Sequence, residues 1–385
     1  MNLTQYGDYF YLYILFVISV PVIILKSLGL KTKYYGLLVS IVLDYIVIGG
    51  TIGVKLFALF LIGETAVIYT YLFIRKRTDN KYLYFLFLFF SILPLIIVKI
   101  AGLTRYANIL GFVGLSYINF KAIQIIIEIY DERIKEMNFL SYMYFILFFP
   151  TLSSGPIDRW KRFEENLSQS IPTSEYLNDY LFEGIKKIII GVLYKFVISY
   201  IIHTYWILKI PKDINLINSV NYMYAYTMYL FFDFAGYSLF AIGASYIFGI
   251  KTPENFNKPF LSKDMKEFWT RWHISLSRWF GDYIFSRFVL NSMRKKRFKN
   301  RFIASHVAQI MTMLVMGLWH GLTPYYILYG LYQGCALVLT DIYQRKSKYY
   351  KKHKKDKWFQ GLQIIVTFHI VCFGMLIFSG YLFSK

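Results

Sequence analysis

Stretches of about twenty apolar residues, enough to cross roughly 30 Å of hydrocarbon, recur along nearly the whole chain. They fall at about 9–25, 35–50, 52–74, 82–102, 106–130, 138–153, 184–208, 220–248, 303–319, 322–342 and 360–383. Inside lipid every backbone polar group must find its partner within the protein, so spans are helices or closed barrels. Runs this long without alternation read as helices. With 57% hydrophobic and 21% aromatic residues in 385, the chain exceeds the apolar content of soluble domains. The expectation is one all-α polytopic membrane domain over residues 1–385, with about 10–12 crossings. Several segments carry proline, such as Pro94 and Pro150, so some should be tilted, broken or re-entrant. The first run lacks a basic leader and a small-residue cleavage site, and reads as a first span, not a removed signal peptide.

The formal net charge is +21. In a soluble chain that balance would suggest nucleic acid. Here the basic residues gather between apolar runs, which points to membrane orientation and to attraction for anionic lipid. The loops with Lys26, Lys31 and Lys33 and with Arg75, Lys76, Arg77 and Lys81 should be cytoplasmic, which leaves the amino terminus outside. Arg294 to Arg301 and Arg345 to Lys357 should be cytoplasmic too; the latter holds eight basic residues and one acid and reads as a solvated, lipid-contacting linker. Residues 303–342 then form a hairpin with both feet inside and its turn near Trp319 to Pro324. At 1.5 Å per residue, the run from Ile303 to Trp319 reaches about 25 Å, so His320 lies deep or near the outer leaflet.

His320 is the first candidate for chemistry, because imidazole moves protons near neutral pH and a polar group in hydrocarbon needs a partner or a task. His203, His306 and His369 lie in apolar runs without distinctive flanks and read as packing histidines with one hydrogen bond; His353, in the Lys-rich loop, reads as solvated. His273 differs. It sits in Trp269-Thr270-Arg271-Trp272-His273-Ile274-Ser275-Leu276-Ser277-Arg278-Trp279, where aromatic and cationic residues interleave. An interfacial helix with an aromatic belt explains that stretch about as well as a site does. Asp233, in Phe231-Phe232-Asp233-Phe234-Ala235-Gly236-Tyr237-Ser238, places a carboxylate in an apolar run; it could orient a histidine, pair with an arginine, or serve backbone or tyrosine groups. Residues 154–183 and 249–301 are polar and should lie on the membrane surface or line a cavity. No metal motif, nucleotide loop or Gly-x-Ser-x-Gly elbow occurs, so no bound metal or cofactor is expected and a serine nucleophile has little support. Cys335 and Cys372 lie far apart in apolar runs and read as buried small hydrophobes.

Taken together these residues resemble the membrane-bound O-acyltransferase family. The resemblance rests on His273 within Trp269 to Ser277, on His320 within Leu318-Trp319-His320-Gly321, and on Asp233 to Ser238. Pro253-Glu254-Asn255-Phe256-Asn257-Lys258-Pro259-Phe260 and Ser154-Gly155-Pro156-Ile157 add to it. It spans about residues 100–345. Within the family, Lys299-Asn300-Arg301-Phe302 and Met316 to Thr323 look similar to the DltB-like branch, which serves D-alanylation of teichoic acids. Alginate-type O-acetyltransferases share the two histidines but carry a Gly-Gly-Asn-Arg stretch; here that place holds Leu290 to Lys296 without the glycines.

The resemblance implies spanning, re-entrant and interfacial helices around a central tunnel. It implies that D-alanine arrives on the phosphopantetheine thioester of a cytoplasmic, DltC-like carrier protein. His320 would be the general base on an acceptor hydroxyl, with His273 toward the cytoplasmic side. Asp233, Trp269, Arg271, Trp272, Ser275, Ser277 and Trp319 are the candidate tunnel residues. Teichoic acid is the implied final acceptor, with DltD-like and DltX-like membrane partners and a Gram-positive plasma membrane as the setting. A polysaccharide O-acetyltransferase of the same fold is the alternative. A transporter is a third reading, with a few intramembrane charges such as Lys55, Glu64 and Asp233 to support it, and no paired inverted repeat is visible.

Overall fold

A computed structural model describes residues 4–103 and 111–383. Their regular structure is helical, apart from one isolated antiparallel bridge between Phe256 and Trp272. The helices are α1 Tyr9–Ser27, α2 Lys33–Ile48, α3 Thr51–Arg75, α4 Lys81–Ala101, α5 Leu115–Tyr130, α6 Phe139–Leu147 and α7 Trp160–Ser168. A helical run follows, made of α8 Thr173–Glu175, a π-helical turn, α9 Glu183–Val192, a second π-helical turn over Leu193–Ile198, and α10 Ser199–Tyr205. Then come α11 Leu216–Ile247, α12 Met265–Arg271, α13 Ile274–Phe280, α14 Ser286–Arg294, α15 Arg301–His320, α16 Pro324–Lys346, α17 Lys348–His353 and α18 Lys357–Phe378.

Six described helices are long and apolar enough to cross a membrane: α1, α3, α4, α11, α15 and α18. The other apolar runs form shorter or more polar helices. The run expected over 106–130 is helical from Leu115; its residues 106–110 lie outside the described residues. α5 is buried from Tyr117 to Ile129, so neighbouring protein, not lipid, surrounds it. The run at 184–208 is interrupted by the π turn at Leu193–Ile198. α16 has the length of a span, but its tyrosines, glutamines and Asp341 lower its hydropathy.

The described residues fall into two compact units that alternate along the chain, residues 1–192 with 236–253, and residues 193–235 with 254–385. The first unit buries polar groups and pairs them. Glu64 accepts from Ser91 Oγ at 2.9 Å and Asn119 Nδ2 at 3.3 Å. Lys121 Nζ donates to the Phe145 carbonyl at 3.0 Å and to Thr151 Oγ1 at 3.3 Å. These bonds offset the desolvation that an unpaired group would carry. α9 meets the last third of α11 through small residues: a Cβ at Gly184 would lie 2.9 Å from the Gly243 carbonyl oxygen, and one at Gly191 3.1 Å from that of Gly236. Such a stripe lets two backbones approach where lipid supplies no hydrophobic drive. In the Ser154 to Ile157 motif the Gly155–Pro156 peptide is cis, and Ser153 hydrogen-bonds Tyr237.

The second unit contains the expected hairpin. α15 and α16 lie antiparallel and nearly touch: a Cβ on Gly317 would fall 2.3 Å from the Tyr326 carbonyl oxygen, and one on Gly330 2.5 Å from that of Met313. The two feet also meet, since the Arg345 guanidinium lies 4.1 Å from the centroid of the Phe302 ring. Several expectations change here. The Lys-rich linker contains a helix, α17, whose first turn is capped by the Ser347 hydroxyl accepting from Tyr350 N at 3.0 Å. His353 is not simply solvated; its Nδ1 lies 2.7 Å from Asp356 Oδ2. Cys335 is exposed, because it faces away from α15, while Cys372 is buried against Met223 and Leu376.

Candidate active site

α15 ends at His320 because Gly321 and Pro324 stop it. Gly321 adopts an extended conformation, and Pro324 starts α16, where a missing N–H costs nothing. The imidazole thus stands at the hairpin tip, about 28 Å along the helix from Arg301. Aromatic rings surround it, with ring centroids at 4.5 Å for Trp319, 4.8 Å for Phe378, 5.7 Å for Tyr326 and 6.3 Å for Tyr329.

His273 is placed differently. It joins α12 to α13 with φ 43° and ψ 53°, a left-handed conformation that is costly for a residue with a Cβ. The surrounding bonds over-determine that turn. Ile274 N donates to the Asn255 carbonyl at 2.9 Å, and Asn257 N donates to the Arg271 carbonyl at 2.9 Å. Asn255 Oδ1 accepts from Ser275 Oγ at 2.6 Å and from Ser275 N at 3.3 Å. Ser277 N returns to the His273 carbonyl at 3.0 Å. Strain held by so many partners is characteristic of functional positions. The turn buries the imidazole and sets it edge-on to Phe234, with centroids 4.7 Å apart. Burial, and secondarily the nearby His320, hold His273 below the ordinary histidine range, so it is neutral.

The two histidines line one cavity of about 60 Å³, with Leu230, Phe234, Trp269, Trp272, Leu276, Met316, Tyr329, Met375 and Phe378. Its two imidazoles and the Tyr329 phenol are the titratable groups in an otherwise apolar and aromatic wall. Such a space favours an uncharged reacting group and strengthens hydrogen bonds made inside it.

The other predicted residues divide. Trp269 and Trp272 line the cavity; Trp319 packs on the His320 ring. Arg271 does not line it and instead pairs with Glu267 at 2.6 Å. Ser275 and Ser277 brace the His273 turn, the latter donating from Oγ to the Trp272 carbonyl at 3.2 Å. Among the described residues Asp233 reaches neither a histidine nor an arginine; Lys195 Nζ binds its Oδ1 at 2.5 Å. The partners lie 38 residues apart on different helical segments, so helical spacing could not show the pair. Asp233's neighbour Phe234 is the residue on the cavity wall. The sequence reading also missed Asn255 and the far wall of Tyr329, Met375 and Phe378. Asn255 lay inside a quoted motif, which was a usable signal; apolar wall residues on separate helices carry none.

The family model for "MBOAT, membrane-bound O-acyltransferase family" matches residues 53–383. The chain is 42% identical to a teichoic acid D-alanyltransferase of Bacillus subtilis (strain 168), over 98% of each chain. It is 36% identical to the teichoic acid D-alanyltransferase of Lacticaseibacillus rhamnosus, over 99% of this chain and 98% of that one. A probable alginate O-acetylase AlgI of Pseudomonas syringae is 30% identical over 70% of this chain and 49% of its own length. With its apolar helices and its two-histidine cavity, the chain is a multi-pass membrane acyltransferase, and it belongs to the membrane-bound O-acyltransferase family.

Proposed function

We propose that this chain moves D-alanine from a carrier-protein thioester on the cytoplasmic face toward teichoic acid, with His320 as general base. The observation that carries the proposal is the shared cavity of His320 and His273, in a chain similar over its whole length to teichoic acid D-alanyltransferases. His320 takes the proton of an acceptor hydroxyl. The freed oxygen attacks the thioester carbonyl, the carbon–sulfur bond breaks, and the imidazolium returns its proton to the departing thiolate. A positioned base of this kind supplies about 10²–10⁴-fold. His273, neutral and fixed in its turn, is suited to donate a hydrogen bond to the carbonyl oxygen as charge develops there. The rings of Trp269, Trp272, Tyr329 and Phe378 can hold the alanyl ammonium where the wall has no carboxylate.

The donor is the phosphopantetheine thioester of a DltC-like carrier, which the basic cytoplasmic loops would steer if it is acidic. An extended arm accounts for a base so far along the hairpin. DltD-like and DltX-like partners and anionic lipid complete the proposed setting. The test is transfer in proteoliposomes with D-alanyl-loaded carrier, following thioester loss and acceptor labelling. His320→Ala should accumulate folded and lower transfer by at least about 100-fold. Near-wild-type turnover of that variant would overturn the assignment of the base. Use of an acetyl donor with no use of D-alanyl carrier would favour the O-acetyltransferase alternative.

A further inference from the structure

Away from the cavity, one carboxylate gathers three side chains from three helices. Asp341, on α16, is buried. Lys266 of α12 binds its Oδ1; Arg345 Nε donates to Oδ2 at 2.6 Å, and His306 Nε2 of α15 lies 2.8 Å from the same oxygen. A second link runs beside it. Gln344 accepts from Lys266 Nζ at 3.3 Å and donates from Nε2 to Asp264 Oδ2 at 2.8 Å. Asp264 Oδ1 in turn caps α12, accepting from Lys266 N at 2.8 Å and Glu267 N at 2.9 Å. Asp341 and Gln344 are three residues apart, so both face α12 from one side of α16.

The consequence follows from helix physics. α12 has seven residues and cannot hold a helix or a register by itself. Its first turn is held by α16, and its last residue leads through Trp272 straight into His273. α15 and α16 carry His320 at their far end, about 21 Å along α15 from His306. We infer that Lys266–Asp341, with Asp264–Gln344, is a positioning clamp that sets His273 against the hairpin bearing His320. Its residues touch no reacting atom. They act by fixing how far α12 and α16 can slide past one another.

The clamp rests on the reading of His320 and His273 as the reacting pair, so His320→Ala is measured in the same preparations. Lys266→Met is the decisive variant, because it cuts the link while Asp341 keeps Arg345 and His306 as partners. Turnover should fall by about 10–100-fold, the cost of a small misplacement, with the KM for loaded carrier within about threefold of wild type. Hydrogen exchange should rise over residues 264–273. Lys266→Arg should recover most of the turnover. His306→Gln, which removes a partner of Asp341 without touching the link to α12, should stay near wild type. If Lys266→Met is not recovered folded, Gln344→Leu cuts the second link and takes its place. The clamp is overturned if the link variant keeps more than half of wild-type turnover, if Lys266→Arg is as poor as Lys266→Met, or if His306→Gln loses as much. An active His320→Ala would sink the reacting-pair reading instead.

Discussion

Replacing Asn255 by alanine removes two of the side-chain hydrogen bonds that hold the His273 turn, to Ser275 Oγ at 2.6 Å and Ser275 N at 3.3 Å. It leaves the main-chain bond from Ile274 N in place. Each lost bond is worth about 0.5–1.5 kcal/mol net, so the pair contributes roughly 1–3 kcal/mol. The left-handed conformation of His273 costs about 1–2 kcal/mol. The two quantities are comparable, which means the bonds are about what the strain requires. Without them the turn should relax, and the population with the imidazole in the cavity should drop about tenfold for each 1.4 kcal/mol lost. Turnover of carrier-bound D-alanine in proteoliposomes should therefore fall about 10–100-fold while the protein still extracts as a folded species. His273→Asn is the companion variant, because asparagine tolerates the left-handed region; it should keep the turn and lose only what the imidazole supplies. Wild-type turnover in Asn255→Ala, with unchanged hydrogen exchange at residues 272–277, would refute the strain argument.

Two further outcomes can be checked on the same protein. Gly317→Ala places a Cβ against the backbone of Tyr326 and Gly330, atoms that cannot rotate away. Overpacking of this kind costs about 1–3 kcal/mol or more, so the variant should melt lower in detergent and lose transfer through displacement of His320. Acidification should also destabilise the fold. His273 is held neutral by burial and by His320, so below about pH 6.5 the unfolded chain binds a proton that the folded chain refuses. Melting temperature should fall as pH drops through that value and stay flat above it; an equal fall in His273→Asn would show that another group is responsible.

The hairpin could be read from sequence because both of its feet are basic and hydrocarbon excludes charge; the geometry then agreed at Arg345 and Phe302. His320 was found the same way, as a polar group at the end of an apolar run. His273 stood out by its flanks, yet an interfacial helix explained those flanks as well. Its left-handed turn depends on Asn255, eighteen residues upstream, and local sequence does not record that pairing. Asp233 shows the limit from the other side. Its place in an apolar run marked it as a group needing a partner, but Lys195 lies 38 residues away on another helical segment, and no local spacing records a contact between separate helices.

By itself, then, the sequence determined that the chain is helical and lives in a membrane, since apolar length and charge placement are set by the cost of leaving water. It also singled out two histidines. Only the tertiary structure decided that those histidines share one cavity, that Asn255 holds one of them in a strained turn, and that Asp341 ties the two segments together. The reason is physical: burial from water acts on each residue separately and leaves a trace in composition. A cavity wall or a clamp exists only once helices distant in sequence are brought within hydrogen-bonding reach.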